Sequence, residues 1–377
     1  MRTPTRGRAI AGLWLALAAL LAGVPTIGAA NAQEAVRETT PASLASDYRD
    51  ANYDYFVSGD VQAPRGAHPH AGLALMGGGG RVDSAFKFLA THADGGHIVI
   101  LRAANGDAFD ADAGDYGKAF VGPWGPSACA QTVVFRNRAA AFDARVVAIV
   151  SGADGIFIAG GDQASYVRYW KGTPIQDALD AHVRAGRPVG GSSAGLAILG
   201  HHSYTALDGG SMESKTALAD PFDAGVTLES DFLHVAGLDR VITDTHFSAR
   251  SRLGRLIVFV ARLNESVRRR DVVGIGIDEK TALLVDADGI GRLASDSRGN
   301  AWLVQEQAAA TLRQGQPLTL QRVHVTRLNS SSSIDLNSKR VRAAGAPVIV
   351  DIVAGHASTT PALQKILLRE RVPADES

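Results

Sequence analysis

The sequence predicts an α/β fold with a mostly parallel sheet covered by helices on both faces, followed by extra antiparallel strands near the C-terminus. Two observations carry this. Short continuous apolar runs, the pattern of strands buried on both faces, alternate with amphipathic stretches of helical spacing. Glycine-rich turns close several of the runs, where such sheets place their ligands.

In chain order, Leu73–Met76 is the first apolar run and ends in four glycines, Gly77 to Gly80. Val82 to Leu89 follows with Val82, Ala85, Phe86 and Leu89 on one helical stripe. His97–Leu101, Gly155–Gly160, a run opening at Pro188 and Val272–Ile277 are further strands. Between them, 143–151, 175–185, 194–199 and 250–264 have helical character. After Lys280 the pattern shifts to short strands: Thr281–Val285, Gly291–Ala294, Ala301–Val304, Leu318–Val325 and Pro347–Val353, with turn signals such as Asp286-Ala287-Asp288-Gly289. The expected organisation is a catalytic α/β domain over 72–295, with a β-rich extension over 296–377 packed on it. Residues 33–71 read as a polar leader with one short helix.

Residues 1–32 read as a secretory signal peptide. Arg2, Arg6 and Arg8 precede an apolar or glycine run of 16 residues, Ala9 to Val24, and a small-residue tail ends at Ala32. Cleavage is expected after Ala32, placing the mature protein in the periplasm or outside the cell. The run is short for a membrane span, which needs roughly 20 apolar residues, so no stable membrane anchor is expected.

Composition narrows the function. Of 377 residues, 38 are Lys or Arg and 38 Asp or Glu; without the first 32 the balance is 35 against 38, a net of −3. That argues against a general nucleic-acid binder, which needs a basic surface to displace counterions. One cysteine, Cys129, rules out an intrachain disulfide framework and cysteine-rich metal sites. No metal or cofactor is called for.

Gly190-Gly191-Ser192-Ser193-Ala194-Gly195 contains G-x-S-x-G centred on Ser193, between a short strand and a helical stretch. A sharp strand-to-helix turn exposes the serine hydroxyl at a helix N-terminus. A βα turn whose glycines serve only packing is the alternative. An oxyanion hole needs the N–H after the nucleophile, from Ala194, and one from another loop; Gly78 and Gly79 are the natural source. A flexible turn is the alternative there. Gly77–Gly80 fits neither the Walker nor the dinucleotide spacing.

Serine needs a base, and histidine suits the task. Of eleven histidines, His246 ends the run Val241–Phe247 where a helical stretch follows. Arg250, Arg252 and Arg255 open that stretch, where cations oppose the helix dipole; either a bound anionic group or surface carboxylates would compensate them. Asp278 and Glu279 end the strand Gly274–Ile277, where one could orient the histidine or both could be solvated.

Together, Gly155–Gln163, Gly190–Gly195, Asp244–Arg255 and Gly274–Glu279 resemble cyanophycinase and its relatives, serine peptidases that include the aspartyl dipeptidases. The resemblance covers roughly 70–290. It implies a sheet related to class I glutamine amidotransferases, with Ser193 as nucleophile, His246 as base and Glu279 as the acid, Asp278 being the neighbouring alternative. It implies a substrate pocket of Gln163, Asp244, Arg250, Arg252 and Arg255, and a cyanophycin-like peptide or polymer as substrate, cleaved to β-Asp-Arg dipeptides through an acyl-enzyme. Family relatives are often dimers, so a homodimer is a further expectation. The family's glutamine before the histidine is replaced here by Thr245, which favours a peptidase for other aspartyl or isoaspartyl dipeptides as the alternative. A non-catalytic binding protein that keeps the pocket is the rival from another class.

Overall fold

The apolar runs form strands, and four of them, joined by a further strand at Cys129–Phe135, make a parallel block. In the computed structural model, which describes residues 46–104 and 114–368, the block runs Cys129–Phe135, His97–Ala103, Gly155–Ile158, Val189–Ser192 and Leu73–Met76. Each neighbouring pair in it is parallel. Every residue of the last three strands is buried, as expected of strands covered on both faces.

The block sits within an 11-stranded sheet, and a second sheet has eight strands. Both are mixed, so the expectation of a mostly parallel sheet is corrected. Thr281–Val285 lies antiparallel against Leu73–Met76, and Ile290–Ser295 follows it back antiparallel. The second sheet has Val241–Asp244 parallel to both His202–Tyr204 and Val273–Ile277; Ala301–Glu306 and its successors are antiparallel. The cause is connection length. Parallel neighbours need a crossover of a dozen or more residues, whereas only four residues, Asp286 to Gly289, join Val285 to Ile290.

Two of the expected boundaries also change. The region after 296 is β-rich but is not an extension packed on a finished domain. Ala301–Glu306 hydrogen-bonds directly to Val273–Ile277, and Ser333–Asp335 to Ile290–Ser295, so these strands complete the sheets. The described part of the leader holds a strand, Tyr53–Gly59, paired with Cys129–Phe135. Asp54 makes that run look polar, yet it is buried and held by Arg136 at 2.8 Å and Arg49 at 2.9 Å. The predicted signal peptide and residues 33–45 lie outside the described residues. Among the described residues no helix is long and apolar enough to cross a membrane.

Helix starts follow local chemistry. Asp143 accepts from the amides of Arg145 and Val146 to cap Ala144–Ser151, and Asp162 caps Gln163–Trp170 through the Ala164 amide. The helix expected from Arg250 begins only at Leu253 and runs to Val267. His246 and Ser251 have positive φ (47° and 48°), which the right-handed helix does not admit. Arg250 therefore stands in a turn rather than on a helix.

Candidate active site

The end of the strand Leu73–Met76 is the hub of the site. Three successive carbonyls accept from three separate loops. The Ser193 amide donates to Met76 O at 3.1 Å, the His246 amide to Gly77 O at 2.8 Å, and the Lys280 amide to Gly78 O at 2.8 Å. Residues from distant parts of the chain are thus fixed to one short stretch of backbone, and their side chains converge.

Ser193 has φ 53° and ψ −119°, outside the ordinary regions for a non-glycine residue. It stands between Val189–Ser192 and the helical turn Ala194–Ala197. Its hydroxyl lies 2.7 Å from His246 Nε2, and His246 Nδ1 lies 2.6 Å from Glu279 Oε1. A carboxylate can only accept, so Nδ1 carries the ring proton and Nε2 keeps the lone pair that receives the serine O–H. Burial holds the His246 pKa below its ordinary 6.5. The Glu279 bond acts upward, while the charges of Arg250 and Arg252 add to the lowering. The imidazole is neutral near pH 7 and able to take a proton.

The glycines make room for this. A Cβ on Gly78 would stand 2.6 Å from His246 Nε2 and 3.0 Å from Ser193 Cβ, and one on Gly79 2.6 Å from the Glu279 side chain. Both glycines also have positive φ, 87° and 70°. Gly160, to which the sequence reading gave no role, would place a Cβ 3.4 Å from Ser193 Cβ. Its signal was present, as a glycine pair closing a strand one turn before Gln163.

Asp278 has a different task from Glu279. Its Oδ1 accepts from the Ser248 amide (3.0 Å), the Ser248 hydroxyl (2.5 Å) and Trp302 Nε1 (3.3 Å), and its Oδ2 from the Asn300 amide (2.8 Å). It ties the loop after His246 to the second sheet and leaves the imidazole to Glu279.

A cleft of about 390 Å³ opens over Ser193, lined among others by Gln163, Arg168, Ser211, Thr245, Arg250 and Arg252. Gln163 Nε2 donates to Tyr204 O at 3.0 Å. Arg250 is exposed, and only its backbone amide, donating to His246 O, has a described hydrogen bond. Arg252 donates through Nη1 to Thr245 O and Thr245 Oγ1 and through Nη2 to Ser211 Oγ. Burial, with the Arg255 charge beside it, lowers its pKa to about 10, so it stays cationic.

The structure does not bring Asp244 and Arg255 to the cleft, and their expected place in the substrate pocket is corrected. Both are 2% exposed. Arg255 Nε donates to Asp244 Oδ2 at 2.8 Å and Nη2 to Oδ1 at 2.5 Å, a bidentate pair. Burial alone would raise the Asp244 pKa; the Arg255 and Arg252 guanidiniums override it and hold the carboxyl below its ordinary value. The compensation that these cations need at the helix start thus comes from a buried carboxylate. Breaking such a pair leaves an uncompensated buried charge, so Asp244→Ala should cost about 3–5 kcal/mol of stability. Urea unfolding checks this, and a cost below about 1 kcal/mol would show the pair to be incidental. No cluster of three or more His, Cys, Asp or Glu suited to a metal ion occurs among the described residues.

A serine on a strained strand-to-helix turn, hydrogen-bonded to a neutral histidine that a carboxylate orients, has the arrangement of a serine-hydrolase triad. Residues 137–293, which contain all three side chains, match the model of Peptidase family S51. Cyanophycinase from Nostoc sp. (strain PCC 7120) is 34% identical over 155 residues, 41% of this chain and 46% of that protein. Cyanophycinase from Synechococcus elongatus is 29% identical over 212 residues, 55% of this chain and 60% of that protein. The chain thus spans about half the length of the curated relatives it matches. A solved peptidase from an acI-B1 Actinobacterium aligns with TM-score 0.48 and 17% identity, covering 71% of this chain and 98% of that one. Residues 137–293 are thus similar to Peptidase family S51, and the matched part of the chain is similar to cyanophycinases.

Proposed function

We propose that this protein is a serine-type peptidase that cleaves β-aspartyl-arginine polymer to β-Asp-Arg dipeptides. The observation that carries the reading is the aligned Ser193–His246–Glu279 chain, at 2.7 and 2.6 Å, within the S51 segment. In the reaction, the Ser193 hydroxyl attacks the scissile carbonyl as His246 Nε2 takes its proton. Glu279 accepts from Nδ1–H and stabilises the imidazolium. The oxyanion is held by the Ala194 amide, an orphan donor at a helix start, together with an amide of Gly78 or Gly79. His246 then protonates the leaving amine, and water, activated by the same imidazole, releases the acyl group and restores Ser193.

Arg250 supplies the positive charge that faces the substrate's free carboxylate. Arg250→Ala should raise KM for a carboxylate-bearing substrate severalfold and leave an esterified substrate little affected. It also removes a charge that lowers the His246 pKa, so the acid limb of kcat/KM should move to higher pH. Equal effects on both substrates, with an unmoved limb, would take Arg250 out of the site.

The proposal extends to secretion through a signal peptide cleaved after Ala32, to a homodimer, and to a class I glutamine amidotransferase-like arrangement of the five-stranded parallel block. One observation favours a second substrate reading, a peptidase for other aspartyl or isoaspartyl dipeptides. Asp244 is enclosed by Arg255 and Arg252, so it has no face to offer a substrate guanidinium. Turnover of cyanophycin beside a panel of α- and β-aspartyl dipeptides tests both. Release of β-Asp-Arg from the polymer supports the first, hydrolysis of dipeptides alone the second, and no hydrolysis of either would contradict both.

A further inference from the structure

We infer that the Ser211 hydroxyl is a carboxylate-binding donor of the cleft, acting beside Arg250. The inference rests on the reading above that the cleft over Ser193 receives the substrate. Ser211 follows Gly209 and Gly210, both with positive φ (90° and 74°), in a turn whose residues line that cleft. Its Oγ accepts from Arg252 Nη2 at 3.0 Å and from Arg255 Nη1 at 2.9 Å. A hydroxyl has two acceptor lone pairs and one proton, and a guanidinium can only donate. Both lone pairs are therefore taken, and the proton must be given to something else. No protein acceptor for it is described, and Ser211 is exposed to the cleft.

Ser214 shows the contrast. Its Oγ accepts from the Arg255 amide at 3.0 Å and donates to Ser251 O at 2.6 Å, so its proton is used within the fold. At Ser211 the proton faces outward, and two cationic donors polarise the O–H into a stronger donor than an ordinary serine. Arg252 donates through Nη1 to Thr245 and through Nη2 to Ser211, so this hydroxyl relays part of its charge to a ligand. The group that such a donor beside an exposed guanidinium recognises is an anionic oxygen pair, the free carboxylate of an acidic peptide.

The test is calorimetric binding to the full chain carrying Ser193→Ala, which removes turnover. The probes are β-aspartyl-arginine, the same dipeptide with its carboxylates converted to carboxamides, and succinate. Adding Ser211→Ala should weaken β-aspartyl-arginine and succinate about tenfold or more, since hydrogen bonds to charged groups are the strong ones, and leave the carboxamide unchanged. Ser211→Thr, which keeps the hydroxyl, should restore most of the affinity. A loss shared equally by the carboxamide, or no loss, would overturn the inference. If the parent binds succinate but no aspartyl dipeptide, the substrate proposal fails while the succinate comparison still decides on Ser211. A parent that binds neither overturns both.

Discussion

Ser193→Ala is expected to leave a folded protein whose turnover falls by roughly 10⁴- to 10⁶-fold, the scale on which removal of a triad nucleophile acts. The fold should survive because the change deletes one hydroxyl and no backbone contact. The Ser193 amide still donates to Met76 O, and alanine is no worse than serine at φ 53°. Chemistry should fail because the atom proposed to form the acyl-enzyme is gone. Circular dichroism and thermal unfolding check the first half, and kcat on the active substrate the second. Turnover within tenfold of the parent would remove Ser193 from the mechanism.

His246→Ala is expected to cost several orders of magnitude in kcat, about 10⁴-fold, because the hydroxyl loses its only described hydrogen-bonding base. The parent's pH profile carries the same information without a mutation. His246 is held below 6.5 by burial and by the charges of Arg250 and Arg252. The base form should thus persist below that pH, and kcat/KM should fall only as pH drops through the lowered value. The sign follows from the work required, since protonating Nε2 removes the lone pair. A loss of only tenfold in His246→Ala, or an acid limb above 6.5, would point to another base.

The grouping of Ser193, His246 and Glu279 was legible in the sequence because each of them ends a strand beside a recognisable turn. The G-x-S-x-G pattern marks Ser193, and Asp278-Glu279 follows an apolar run. Choosing between those two carboxylates was beyond the sequence. Adjacent residues after a strand point in different directions, and only tertiary contacts show Asp278 engaged by Ser248, Asn300 and Trp302. The pairing of Asp244 with Arg255 was hidden for a similar reason. A carboxylate near three arginines reads equally well as a ligand set or as self-compensation, and burial decides. Ser211 sits 35 residues before His246 in a glycine-rich turn, with no signal that two guanidiniums would meet on its oxygen. The antiparallel closure of both sheets was visible as short strands after Lys280, but their pairing with Leu73–Met76 and Val273–Ile277 depends on contacts across more than a hundred residues in one case and two dozen in the other.

The most direct measurement of the central claim is covalent labelling by a fluorophosphonate, followed by peptide mapping. An activated serine should be modified stoichiometrically at Ser193, and labelling should be lost in Ser193→Ala and strongly slowed in His246→Ala. An intact, folded protein that stays unlabelled, or one whose label survives Ser193→Ala, would contradict it.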